Sequence, residues 1–591
     1  MNMPLSPNAF REFPGFAGAL SIRLRMSWNV AENSNPNGVE HQSPGLAQRQ
    51  PRVIARRCPP TPTGLWPGAI ALDAARVMIV KTARIACLLL VWGWMGLGPW
   101  DLRGAVPATA YGTSYQVNVD ANGQNILGDA ANEPSLCIDP TNPNRIAVGW
   151  RQFNHVGDAF REAGWAYSTN GGLNWAFPGV LEPGTFRSDP VLAADADGSF
   201  YYLGVQTNAV YYFCDLWRST NGGASWQSLG LALGGDKPWM TIDATSGPGR
   251  GNIYETWSPF HNFTNDSNQI FSRSIDGGLS WMQPILMPNQ PYFGTAAVGP
   301  NGELYTVGTD GTTFWVNRAT NAANRRTAVV FDLTAEANLG GPLVYGAAVN
   351  PVGLLGQPWV AVDQSGGPTR GNVYVLCTVT NDPGNLANVM FARSTNGGRT
   401  WSAPVRINDD SSTQNAWHWF GTLAVAPNGR IDTCWNDTRH SPDGTHSELY
   451  YSWSEDGGRN WAPNRPLSPP FDHTLGYPMQ EKMGDYIGMV SLNEGACIAY
   501  TATFNGEEDV YFVRAELPIR AKVALVDGVT RISWNAVPGG NYSVQAKPDL
   551  ALPWSAATNL VTLSSTGSVA AVDDPSSTSG SERFYRVVRQ P

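Results

Sequence analysis

The chain has 591 residues, of which 15% are charged, a formal net charge of −9, and 63 Gly, 44 Pro and 23 Trp. It is too long for one ordinary core, and its acidic balance argues against a nucleic-acid partner. A turn-rich, aromatic-rich, weakly charged composition points to an all-β protein exported from the cell.

In chain order, residues 1–77 carry no hydrophobic periodicity and hold eight Arg against four acids. Lys81 and Arg84 then precede an apolar run from Ile85 to Leu97, and Ala108-Thr109-Ala110 offers a small-x-small cleavage pattern. That order is the order of a secretory signal peptide, which places the functional start at Met78 and the leader at 78–110. The rival reading is a long N-terminal extension with one anchor. The run falls short of the roughly 20 apolar residues a spanning helix needs, so no membrane span is expected in the mature chain.

From Tyr111 to about Leu517 the chain repeats. Each unit opens on a short apolar strand: Glu133-Pro134-Ser135-Leu136, Asp189-Pro190-Val191-Leu192, Lys237-Pro238-Trp239-Met240, Phe293-Gly294-Thr295-Ala296, Gln357-Pro358-Trp359-Val360, Phe420-Gly421-Thr422-Leu423 and Asp485-Tyr486-Ile487-Gly488. Five units also carry an S-x-[DN]-G-G-x-x-W turn, beginning at Ser168, Ser219, Ser274, Ser394 and Ser454 and ending at Trp175, Trp226, Trp281, Trp401 and Trp461. Asp or Asn bonds its own backbone there, and paired glycines supply positive φ. The gap from Trp281 to Trp401 spans two units, the one between holding a degraded box at Arg318-Ala319-Thr320-Asn321. Seven units result. The last shows three strands, and Tyr115–Val119 is available as its fourth, which would leave no free edge.

Residues 518–591 change pattern. Val529–Trp534, Tyr542–Gln545 and Arg583–Val588 alternate apolar and polar residues, as a small β-sandwich would. Seven cysteines occur without C-x-x-C spacing, so no zinc or redox motif is offered, no metal site is assigned and no cofactor is expected. Cys58 and Cys87 precede the repeats. Cys137, Cys214, Cys377, Cys434 and Cys497 sit singly in apolar runs and read as small core residues.

The repeated octapeptide resembles the Asp-box (BNR) repeat of the sialidase superfamily, and the C-terminal segment resembles fibronectin-type modules. The resemblance implies a β-propeller at 111–517, with the box as a structural turn away from the active site. The unit count predicts seven blades, where typical sialidases have six; six remains the alternative. It also implies a secreted exo-glycosidase acting on terminal acidic sugars of glycans. A hydrolase of neutral polysaccharide using paired carboxylates, and a non-catalytic binding propeller, are the alternatives.

Strand starts and long loops should meet at one mouth of such a fold. Strand starts offer Glu133, Arg187, Asp189, Asp236, Lys237, Trp239, Trp359, His418, Trp419, Asp485 and Tyr486. Loops offer Arg151, Asn154, His155, Asp158, Trp257, His261, Asp437, Arg439, His440 and Asp443. Phe186-Arg187-Ser188-Asp189-Pro190 resembles the family's F-R-I-P stretch, which implies that Arg187 clamps a substrate carboxylate, with Arg151 and Arg439 as further arginines chosen on geometry. The resemblance implies Asp158 as acid/base and Tyr486 as nucleophile. Asp437, Trp239, Trp359 and Trp419 complete the expected substrate-binding set. The lone histidines read as hydrogen-bonding partners rather than metal ligands.

A chain beginning at Met78 is expected to be exported and processed near Ala110. N-terminal sequencing of the secreted product checks this; a terminus inside residues 1–77 would contradict it.

Overall fold

The computed structural model describes residues 111–591 apart from 209, 261–267, 382–385, 412–414, 478–480, 537–539, 566–568, 577–582 and 590–591. The chain divides after Gly96 into two units, and every described residue belongs to the second. The expected leader at 78–110, the segment 1–77, Cys58, Cys87 and His261 lie outside the described residues.

The described residues are all-β, with one short 3₁₀ turn at Trp554–Ala556 and no α-helix among them. Seven antiparallel sheets follow one another, each with a four-strand path. Their first strands are Ala130–Ile138, Ser188–Ala194, Trp239–Ile242, Tyr292–Val298, Trp359–Val362, His418–Val425 and Gly488–Leu492. Six sheets take four consecutive strands. The seventh takes three, and its fourth strand is Ser114–Gln116, paired with Tyr511–Val513. Beyond Leu517, two three-stranded sheets share a small core around Ile532, Trp534, Tyr542 and Val544.

The five S-x-[DN]-G-G turns are built alike, each joining the third and fourth strands of its sheet. In every one the second glycine N–H donates to the Ser Oγ at 2.9 Å. The Ser hydroxyl donates to the Asn or Asp side chain two residues on, at 2.8–2.9 Å. Both glycines are left-handed, as Gly277 (φ 74°) and Gly278 (φ 91°) illustrate. A Cβ on Gly278 would lie 2.4 Å from Leu216 of the preceding sheet, so the turn is wedged against its neighbour.

An arginine on the preceding sheet latches several of these turns. Arg514 Nε donates to Gly171 O at 2.9 Å, Arg318 Nη1 to Gly397 O at 2.8 Å, and Arg393 Nη1 to Gly457 O at 3.0 Å. The sheet with the degraded box keeps the latch: Arg273 donates to the Ala322, Asn324 and Thr327 carbonyls. A hydrogen bond from a charged donor contributes about 1.5–3 kcal/mol, so the latches bind sheet to sheet. Cys137, Cys214, Cys377, Cys434 and Cys497 are all free and buried, as expected of core residues.

A second repeated device lies at the opposite end of the first strands. Four of them carry a register shift at one position, between Asn132/Ser135, Ser188/Val191, Tyr292/Thr295 and Trp419/Thr422. The residue inside each bulge is left-handed although not glycine: Glu133 (φ 53°), Asp189 (φ 48°), Phe293 (φ 60°) and Phe420 (φ 60°). Lys237, just before the third sheet, is left-handed too (φ 50°). Such backbone costs about 1–3 kcal/mol per residue and persists only where surroundings enforce it.

Trp281 is half-buried against the apolar cluster shared by the second and third sheets. Trp281→Ala should therefore cost about 2 kcal/mol, less than a fully buried Trp. Thermal or urea unfolding checks this; an unchanged midpoint would show that the box tryptophan does not hold its turn.

Candidate functional site

The strained strand openings bring four sheets' charges together. Lys237 Nζ makes an ion pair with Asp485, leading into the seventh sheet, and lies 3.4 Å from Asp189 of the second and 3.7 Å from Glu133 of the first. Lys482 joins from the seventh side, 2.6 Å from Asp485 and 3.4 Å from Glu133. Arg151 closes the first-sheet side, 3.2 Å from Glu133 and donating from Nε to Asn132 Oδ1 at 2.7 Å. Arg161 is tied in through Ser188: its Nε donates to Ser188 Oγ at 3.2 Å, and that hydroxyl donates to Asp189 at 2.6 Å. Its guanidinium lies 4.4 Å over the Phe186 ring.

Burial and pairing split the protonation of these acids. Desolvation pushes Glu133 up to about 7, despite Arg151, Lys237 and Lys482. Burial and the charges of Asp189 and Asp485 push Asp236 up to about 6, with Lys237 opposing. Burial alone would raise Asp189 and Asp485 as well, but Lys237, with Arg151 for the first and Lys482 for the second, holds both below the usual range. Below about pH 6 protonated Asp236 and Glu133 thus stand beside ionised Asp189 and Asp485, the arrangement from which acid/base roles are drawn. Asp236, Lys237 and Lys482 are partly exposed; Glu133, Asp189 and Asp485 form a buried layer.

An aromatic floor adjoins the charges. The Trp239 ring meets Trp359 edge-on at 4.9 Å and Tyr486 at 6.2 Å. These rings come from the third, fifth and seventh sheets, and Trp239 borders three separate apolar clusters. It stays partly exposed and so presents an apolar wall.

Of the residues singled out from sequence, Arg151, Trp239, Trp359 and Tyr486 meet here, together with Glu133, Asp189, Asp236, Lys237 and Asp485. Tyr486 does not have a nucleophile's environment. It is buried, its O–H donates to Pro190 O at 2.9 Å, and burial pushes its phenol well up. Arg187 is not poised as a clamp: it is buried, paired with Glu182 and with Asp215 at 2.7 Å, and lies 4.7 Å over the Trp217 ring. Arg439 and Asp437 belong to a different cluster. There Arg439 pairs with Asp437 at 2.8 Å and Asp409 at 2.8 Å and covers Tyr450. His418 Nε2 sits in that cluster 3.0 Å from Asp410.

Asp158 pairs only with the exposed His155, at 3.3 Å, among the contacts described. Trp419 is buried, donating to Ser447 Oγ at 3.0 Å and packing on Phe420. Sequence reasoning missed Arg161 and Lys482. Neither opens a strand, and the only signal for either was its place in a segment leading into or out of a strand end. No group of three or more metal-binding side chains was found among the described residues.

No family model and no curated protein matches the chain. Among solved structures, a protein of unknown function from Dyadobacter fermentans is similar at 14% identity over 70% of this chain and 100% of its own, with a TM-score of 0.42. An α-L-arabinofuranosidase from Fusarium graminearum is similar at 10% identity over 70% and 99%, with a TM-score of 0.37. The NanB sialidase from Streptococcus pneumoniae is similar at 12% identity over 70% and 71%, with a TM-score of 0.34.

Lys237→Met should destabilise the fold by about 3–5 kcal/mol, because it strands buried carboxylates. Asp189 and Asp485 are depressed in the native protein, so their contribution is present at neutral pH and lost as pH falls through their folded values. Without Lys237 they are raised instead, so the variant's deficit should be larger at pH 8 than at pH 5. Denaturant melts at both values check this; an equal deficit would show that Lys237 does not hold these acids.

Proposed function

We propose that residues 111–517 form a closed seven-bladed β-propeller with Asp-box turns, and that the chain is a secreted glycoside hydrolase acting on glycans that carry acidic sugars. Closure is supported by the first strands, each of which contacts the next in chain order while the seventh contacts the first. Pairing of Ser114–Gln116 with the last sheet supports it further. Secretion is supported by the leader pattern at 78–110.

The observation that carries the catalytic reading is the split protonation around Lys237. Asp236, at the partly exposed rim, is the proton donor to the leaving oxygen. Asp189 and Asp485, ionised beneath it, stabilise the positive charge that develops on the sugar ring. Arg161, bonded to the Ser188 hydroxyl and the Ala159 carbonyl, supplies a cation for an acidic substituent, and Trp239 offers a face for the ring. Acidic sugars therefore fit better than neutral ones. The sialidase-like role does not run through Arg187, Asp158 and Tyr486: the first and last are saturated or buried, and Asp158 pairs with a surface histidine.

A non-catalytic glycan-binding propeller is the second reading, favoured by the depth of Glu133, which is fully buried. Fluorogenic sialosides and uronosides separate the two. The hydrolase reading expects turnover that declines as pH rises through about 6, where Asp236 loses its proton. Asp236→Asn should lower kcat about 10²–10⁴-fold with KM little changed. Turnover by Asp236→Asn equal to that of the native protein would overturn the assignment. Saturable binding without turnover by the native protein would establish the second reading.

A further inference from the structure

A three-ring aromatic cluster stands beside Asp236, outside the charged centre. Phe260 follows the second strand of the third sheet, and Tyr292 and Phe293 open the fourth. Their ring centroids lie 5.1 Å apart for Phe260–Tyr292, 6.2 Å for Phe260–Phe293 and 4.8 Å for Tyr292–Phe293. Phe260 is 42% exposed and the other two are partly exposed. Buried aromatic clusters are ordinary core; one left open at the end of two sheets leaves apolar ring surface in water.

Its attachment to the proposed acid is direct. Ser258 N donates to Asp236 O at 2.9 Å, and Ser258 Oγ accepts from Phe293 N at 3.2 Å. Two hydrogen bonds thus run from the backbone of Asp236 to that of a cluster residue. Phe293 is one of the left-handed bulge residues. A polar group flanks the rings: Asp310, whose charge acts on the Tyr292 phenol and which accepts from Trp315 Nε1 at 2.8 Å. An apolar face edged by a carboxylate suits a hexopyranose, whose contiguous C–H bonds stack on rings while its hydroxyls reach polar neighbours.

We propose that Phe260, Tyr292 and Phe293 form a sugar-binding platform that takes the C–H face of a neutral hexopyranose, the residue on the leaving-group side of the bond that Asp236 protonates. The platform's place in the reaction rests on the hydrolase reading; its affinity for sugar does not.

The test uses lactose as the probe, since the galactose ring offers such a face. Calorimetric titration of the full-length protein should give saturable binding. Phe260→Ala should weaken it at least tenfold, and Phe260→Trp should retain it. Asp236→Asn should bind lactose like the native protein even if turnover is lost, which separates the two proposals. Absence of saturable lactose binding by the native protein, or equal affinity in Phe260→Ala, would overturn the platform. Should Phe260→Ala fail to fold, Tyr292→Phe and Tyr292→Ala stand in: the first should keep the affinity and the second lose it, and loss in neither would equally overturn it.

Discussion

The charge of Lys237 is the constraint on which the centre of this protein depends. Three acids from three other strand openings face its ammonium, and one cation in a low-dielectric site cannot neutralise all of them. The imbalance is resolved in two ways. Lys482, Arg151 and Arg161 add positive charge, and Glu133 and Asp236 retain protons that exposed carboxyls would have lost. The same electrostatics that tie four strand openings together therefore leave a carboxyl at the rim that is protonated below about pH 6. Stability and proposed chemistry share one origin.

The backbone participates. Glu133, Asp189 and Lys237 hold left-handed conformations that proline, the next residue in each case, does not relieve. Their strain is offset by the ion pairs they make, and the equivalent positions in the fourth and sixth sheets, Phe293 and Phe420, are held by aromatic packing instead. The openings of the first, second, third and seventh sheets are thus charged, and those of the fourth and sixth are aromatic. The glycine turns at the other end do the complementary work: their wedged contacts and arginine latches fix the outer strands.

Much of this was legible in the sequence. The S-x-[DN]-G-G-x-x-W turns are local chemistry, and each recurs with the same hydrogen bonds. Strand openings were visible because five of the seven place a Pro or Gly after a charged or aromatic residue. The arginine latches were not visible, since they join residues of neighbouring sheets, and even Arg318, read as part of a degraded box, turned out to hold the next sheet's turn. Of the site, Glu133, Asp189, Lys237 and Asp485 followed from their place at strand starts. Arg187 and Arg439 misled because a sequence shows a charge but not the acid that already holds it. Arg161 and Lys482 escaped because a side chain's reach across the fold leaves no local pattern.

The central claim is that one cluster keeps some carboxyls protonated well above their usual range and others ionised far below it. Carboxyl ¹³C NMR titration of the protein labelled at Asp and Glu side chains, with Glu133→Gln and Asp236→Asn for assignment, tests it directly. The account predicts that Asp236 titrates near 6 and Glu133 near 7, while Asp189 and Asp485 stay ionised through the acid range in which exposed carboxyls protonate. Titration of all four together in the ordinary carboxylate range would contradict it.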